Sequence, residues 1–224
     1  MNIHVFHNDG QKILFDQYFI KTLLDEWKVI SHLPPVSDAC DYGTMQYMRI
    51  NFFKISTLIN EIIPSESNAR FFILSDTDIQ FFKKCDEIIT LSMEKKDIVF
   101  QSAKGKRNPR INGGFIAMRP NEKVLDFWKQ IENGLREHSK AGRFMGVQPL
   151  ANQILQNNNK LRWGLFPNTI WAWTNPEVSP SRRSFRNIFL HHAVGTRPRK
   201  AKTSLELKIE QLEIVKTAYN YWAR

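Results

Sequence analysis

Apolar positions in this chain switch between a period of two and a period near 3.6, and the switching marks out its elements. Residues 1–8 read as a first strand that runs out into the polar pair His7 and Asn8. Asp9-Gly10 marks a turn, after which Phe15, Phe19, Leu23 or Leu24, and Trp27 fall at helical intervals, predicting a helix over 15–27. A short strand around Val29 and Ile30 follows and ends at Pro34-Pro35, completing a β-α-β opening. Met45, Met48, Phe52, Ile55, Leu58 and Ile62 then form one stripe of a helix over 44–63, with Pro64 after its end. The run Phe71-Phe72-Ile73-Leu74 is too short for a helix and apolar at every position, as a strand covered on both faces requires. It ends at Asp76-Thr77-Asp78 and re-enters a core at once through Ile79, Phe81 and Phe82.

The second half continues the alternation. Residues 88–93 predict a short helix or turn and residues 97–100 a strand; paired glycines, Gly113-Gly114, head another strand over 111–119. Pro120-Asn121 opens a helix whose inner face is Val124, Trp128, Ile131 and Leu135. An aromatic-rich strand over 161–167, with Trp163 as core, precedes a loop over 174–184. A strand over 187–193 delivers His191 and His192 beside Gly195. Thr203-x-x-Glu206 is a capping box that starts a last helix with Leu205, Ile209, Leu212, Tyr219 and Trp222 on one face, so this helix packs back on the domain or meets a partner. The succession predicts an α/β fold, one domain with a mixed, mainly parallel central sheet flanked by helices.

Composition narrows the picture. At 224 residues the chain suits one domain with a real core. No apolar run approaches the ~20 residues that cross a bilayer, which leaves at most peripheral membrane contact. The first residues lack the basic start and apolar core of a signal peptide, and the two cysteines, Cys40 and Cys85, show no metal spacing and read as reduced. The expected compartment is cytoplasmic. A net charge of +10 fits nucleic acid, an anionic membrane surface or an acidic substrate, and by itself does not choose.

Candidate chemistry centres on the strand end. Side chains two apart on an extended segment face the same way, so Asp76 and Asp78 can share one hard divalent cation, and that cation can hold a diphosphate. The bland alternative is a turn whose carboxylates bind nearby backbone amides. In α/β sheets ligands sit at the carboxyl ends of strands, which places His7 and Asn8 at a nucleotide edge. The glycines at 113–114 mark a close backbone approach or a bulge. Imidazole is a common metal ligand, which makes the His191-His192 pair a candidate, with cations following it.

Taken in order, these motifs resemble those of the GT-A glycosyltransferases that use nucleotide-sugars, over most of the chain from Tyr47 to Lys202. Asp76-Thr77-Asp78 is similar to their Asp-x-Asp metal motif, and Tyr47-Met48-Arg49 to a Tyr-x-Arg whose Arg approaches the diphosphate. Asn112-Gly113-Gly114 resembles their Asn-small-Gly, with the Asn near the donor sugar. Gln148, Asn152 and Leu155 fit an Asp-Gln and following helix, but Val147 stands where those enzymes carry the acid. His192 keeps the spacing of a late His-x-x-Gly, with Gly195 its glycine and His191 the fallback. The lysine downstream is displaced and corresponds to Lys200 or Lys202, with Arg197 also open.

The resemblance implies a GT-A, Rossmann-like domain with residues 1–100 as a nucleotide-binding half, 101–202 as a sugar and acceptor half, and 203–224 as a terminal helix. It implies Mn²⁺ or Mg²⁺ on Asp76, Asp78 and His192. A nucleotide-sugar donor, first a UDP-sugar, is expected to meet His7, Asn8, Arg49, Asp76, Thr77, Asp78, Gly113, Gly195, Lys200 and Lys202. Asn112, Gln148 and Asp76 stand at the reacting centre. With no carboxylate nucleophile in evidence near Gln148, a retaining outcome is expected. The acceptor is a glycan or lipid-linked sugar, anionic if residues 104–110, Arg182, Arg183, Arg186, Trp171 and Trp173 form a cationic rim with stacking rings. The competing functions are a basic nucleic-acid-binding protein, which leaves the two aspartates unexplained, and an inactive sugar-nucleotide-binding relative, which Val147 keeps open.

Overall fold

The structure, a computed structural model, describes residues 1–35, 44–103, 110–157, 160–173, 187–195 and 202–222. Among the described residues nine strands form one sheet: β1 (Asn2–Phe6), β2 (Lys28–His32), β3 (Phe72–Ser75), β4 (Ile79–Phe81), β5 (Ile98–Ala103), β6 (Arg110–Met118), β7 (Trp163–Leu165), β8 (Ile170–Trp173) and β9 (Leu190–Ala193). The order is β2-β1-β3-β6-β5-β8-β9-β4, with β7 also on β5. Pairings of β1 with β2 and β3, of β5 with β7 and β8, and of β8 with β9 are parallel, while β6 runs antiparallel to β3 and β5, and β4 to β9.

One short link forces the sheet to curl. β3 and β4 are joined only by Asp76-Thr77-Asp78, yet five strand-to-strand steps separate them in the sheet. Four residue spacings reach at most about 14 Å, whereas five flat steps would need roughly 24 Å. The far strands β9 and β4 must therefore wrap back over the end of β3, and this brings the late histidines to the early aspartates.

Helices cover both faces. α1 (Lys12–Leu14) runs into a wider π-helical stretch, Phe15–Ile20; α2 (Met45–Thr57) and another such stretch, Leu58–Ile62, lead to α3 (Ile63–Ser65). α4 (Asp86–Ser92), α5 (Glu122–Lys140), α6 (Val147–Asn157) and α7 (Ser204–Trp222) follow. β3 feeds both layers, as its unbroken apolar run predicts. Phe72 and Leu74 join the core under α5 and α6, whereas Phe71 and Ile73 join the opposite core with Phe19, Trp27 and Phe81. Complete burial of each such side chain contributes about 2 kcal/mol.

Three expectations change. The helix expected over 15–27 runs past its π-helical stretch only as far as Thr22, and Trp27 is held instead by packing edge-on to Phe81 and by its indole N–H on Asp86. Pro64 sits inside the last helical turn rather than after it, because the wider turn over Leu58–Ile62 tolerates a nitrogen with no hydrogen to donate. Met45 is 47% exposed, lying in the first turn that Thr44 caps, before the helix reaches the core. Cys85 is free and buried, its thiol pushed up by burial first and then by Asp25 and Asp86, while Cys40 lies outside the described residues. No helix among the described residues is long and apolar enough to cross a membrane.

Candidate active site

A cleft of about 430 Å³ opens at the carboxyl end of β3 and is floored by β6. Asp76 and Asp78 reach it from the link after β3, and His192 reaches it from β9. His192 Nε2 is 3.2 Å from Asp78 Oδ1 and 3.8 Å from Asp76 Oδ2. One ligand atom from each of the three lies within 4.8 Å of the others. The placement follows from local backbone bonds: Asp76 N–H donates to Gly114 O at 2.7 Å, and Ala193 N–H to Asp78 O at 2.9 Å. The antiparallel pairing of Ile79 with His192 fixes the register. Adjacent residues on a strand face opposite ways, so His191 points from the cleft toward Trp171, its ring centroid 5.9 Å away.

Lysines hold the outer carboxylate oxygens. Lys54 Nζ is 2.6 Å from Asp76 Oδ1, and Lys208 Nζ, from α7, is 2.7 Å from Asp78 Oδ2. Burial alone would raise the Asp78 carboxyl, but Lys208, and then His192 when its ring is charged, outweigh it and hold Asp78 well below the usual carboxylate range. Burial likewise works against the Lys208 ammonium, and Asp78 reverses the balance and raises it. His191 is pushed down to about 3, chiefly by burial and then by His192, so it is neutral at ordinary pH.

The floor is shaped by a break in pairing. Phe100 of β5 pairs with Ile116, but its neighbour Gln101 pairs with Asn112, so residues 113–115 bulge out of the β5 ladder. Asn112 Oδ1 accepts the Gly114 N–H at 2.8 Å and holds the bulge. A Cβ on Gly114 would sit 1.9 Å from His192 Cε1, so only glycine leaves room for the imidazole. Gly195 has a φ of 72° and turns the chain away after β9. Asn152 accepts from Ile111 N–H at 3.0 Å, which ties α6 to β6, and donates to Gln148 O within α6 at 2.8 Å.

Asp76, Asp78, Asn112, Gly113, Gln148, His192 and Gly195 thus line one cleft. Val147 lines it too, without a charge. Thr77 is buried between the two aspartates. His7 and Asn8 are buried just beyond β1 and outside the cleft lining, with His7 stacked on Phe15 and 2.6 Å from Ser31 Oγ. Arg49 is exposed on α2, and Lys202 pairs with Glu210 at 2.8 Å. Lys200, Arg197, residues 104–109 and Arg182, Arg183 and Arg186 lie outside the described residues. Trp171 is 5% exposed and packs against Ile188 and Val215, so it is not an exposed stacking ring: strand β8 turns it into the core. Sequence reasoning missed Lys54, Gln101 and Lys208, which leave no signal in the chain, whereas the close approach expected at the paired glycines falls on Gly114.

An Asp-x-Asp at the end of a buried strand, faced by a histidine from a curled-back strand, is the arrangement that the resemblance to GT-A glycosyltransferases implies. The sequence matches the nucleotide-diphospho-sugar transferase family over residues 15–212, and the chain belongs to that family. Solved structures share the fold. A glycosyltransferase involved in glycosylation of the major capsid of PBCV-1 superposes with a TM-score of 0.59 at 13% identity, covering 94% of this chain and 98% of that one. The galactosyltransferase LgtC, solved with donor and acceptor sugar analogues, gives 0.61 at 9% identity, covering 97% and 96%. The glycosyltransferase GlyE of Streptococcus pneumoniae TIGR4 gives 0.59 at 9% identity, and the match takes in 99% of this chain but 62% of GlyE. Comparison with curated protein sequences finds no match.

Proposed function

We propose that this glycosyltransferase moves a sugar from a UDP-sugar to a hydroxyl of a glycan or lipid-linked acceptor, with Mn²⁺ or Mg²⁺ held by Asp76, Asp78 and His192. The observation that carries the reading is the convergence of Asp76 Oδ2, Asp78 Oδ1 and His192 Nε2 on one point at the cleft. Two carboxylate oxygens and an imidazole nitrogen suit Mn²⁺ well and Mg²⁺ adequately. When bound, the cation supplies charge neutralisation for the departing diphosphate.

The chain's own residues do the rest. Lys54 and Lys208 fix the outer carboxylate oxygens, so the inner ones keep their direction. The acceptor oxygen forms its bond to the anomeric carbon as the carbon–oxygen bond to the diphosphate breaks; the electron pair leaves with the phosphate, which takes the acceptor proton. Among the described residues that line the cleft, the only acids are Asp76 and Asp78. Among those described residues no third carboxylate stands as a nucleophile, which supports front-face attack with retention, Asn112 and Gln148 orienting the sugar. The net charge of +10 favours an anionic acceptor.

Titration calorimetry of UDP in Mn²⁺ and in chelator, followed by a screen of nucleotide-sugars for hydrolysis and transfer, tests this. Binding that requires Mn²⁺ is the expected result. Equal affinity in chelator removes the metal site from the proposal.

A further inference from the structure

Gln101 is fully buried on β5, and its Oε1 lies 2.9 Å from His192 Nδ1. Its Nε2 has no hydrogen-bond partner among the described residues. A buried amide used at one end only is poor packing material, which singles out the contact to His192 as the work this side chain performs. A neutral imidazole carries one N–H, and the nitrogen without it offers the lone pair. An oxygen facing Nδ1 accepts a proton from Nδ1–H and leaves the lone pair on Nε2. That atom is the one 3.2 Å from Asp78 and 3.8 Å from Asp76.

We infer that Gln101 is a positioning residue that fixes His192 as the Nδ1–H tautomer and so makes Nε2 a ligand for the divalent cation; the inference rests on the metal reading above. Metal-binding histidines depend on such outer partners for tautomer and ring direction. Turning the Gln101 amide by half a turn would reverse the result: an N–H would face Nδ1, the proton would move to Nε2, and that proton would point at Asp78 and close the ligand position. Gly114 presses against the same ring, so the imidazole cannot escape the choice by tilting.

The test uses the whole chain, Gln101→Leu, which lacks an acceptor, and Gln101→Glu, which only accepts. Ring ¹⁵N spectra of metal-free protein at alkaline pH report which His192 nitrogen carries the proton. Calorimetry without nucleotide reports Mn²⁺ affinity. Protonation at Nδ1 is expected in the parent, and Mn²⁺ affinity is expected to fall about 10- to 100-fold in Gln101→Leu and to be retained or tightened in Gln101→Glu. A parent ring protonated at Nε2, parental affinity in Gln101→Leu, or equal losses in both variants overturns the inference. Should Gln101→Leu fail to fold, the parent spectrum and Gln101→Glu still decide. A parent that binds no Mn²⁺ overturns the metal reading itself, whereas binding that ignores residue 101 overturns this role alone.

Discussion

Among the described residues two buried imidazole–carboxylate clusters are built from the same residue types, and one of them opens on the cleft. In the first, His4 has both ring nitrogens engaged, Nδ1 3.0 Å from His32 Nε2 and Nε2 3.0 Å from Glu66 Oε1, and Asn2 adds a bond of 2.7 Å to the same Glu66 oxygen. Phe6 stacks on His32 at 4.7 Å, and Phe72 meets His4 edge-on. In the second, His192 has one nitrogen on Gln101, and the other faces two carboxylates across a cleft. The difference is in lone pairs and access. A ring with both nitrogens engaged and aromatic neighbours is a strut, and a ring with one nitrogen aimed at converging oxygens is placed as a ligand could be.

The contrast can be broken most severely at Asp78. Asp78→Ala is expected to abolish Mn²⁺-dependent nucleotide binding and to lower turnover on the order of 100-fold or more. It should also cost about 2 kcal/mol of stability, because the Lys208 ammonium loses its partner in a largely buried setting. Calorimetry, transfer assays and denaturant unfolding read the three effects. Retained binding would make the cluster a second strut.

Gly114→Ala should come next. The added methyl displaces the His192 ring, so kcat is expected to fall at least about tenfold while the protein stays folded. A parental kcat in Gly114→Ala would dissociate His192 from turnover.

Glu66→Gln sharpens the comparison from the other side. It should lower stability by about 1–2 kcal/mol through the changed bonds to His4 and Asn2, and leave kcat/KM at the parental value. A drop in kcat/KM without unfolding would show that the first cluster reaches the cleft.

The last effect is in pH. Burial, followed by His4, pushes His32 down to about 4, and burial also lowers His4 despite Glu66. The unfolded state thus binds more protons between pH 6.5 and about 4. Stability is fully present above pH 6.5 and is lost as pH falls toward 4, by roughly 2 kcal/mol. Denaturant midpoints across that range, for the parent and for His32→Gln, measure it; the variant should show the shallower slope.

The elements around these clusters were largely legible in the chain. The capping box at Thr203 forms as written, with Glu206 N–H donating to Thr203 Oγ1 at 3.2 Å and Thr203 N–H to Glu206 at 2.7 Å. Asn121 caps α5 by accepting from Val124 N–H, and β3 carries the unbroken apolar run expected of it. These features depend on residues within one or two turns of each other, where period and capping chemistry dominate. The helix end at Thr22 was not legible, because it is set by packing onto a strand roughly sixty residues later, where Thr22 Oγ1 accepts the Phe81 N–H.

The site divides in the same way. The sequence by itself determined that Asp76 and Asp78 end a buried strand, that a histidine pair ends another, and that glycines stand where backbone must come close. Which histidine faces the acids was decided by the strand register of β9 against β4. That Lys208 and Gln101 complete the cluster was decided by the curl of the sheet and the docking of α7, in contacts spanning 91 residues for Gln101 and His192. A lysine on an amphipathic helix and a glutamine in a strand look, in sequence, like any solvated or half-buried polar residue. Their roles arise because burial in a low-dielectric cleft makes each unmatched charge or lone pair costly, and only the closed fold determines which partners are within reach.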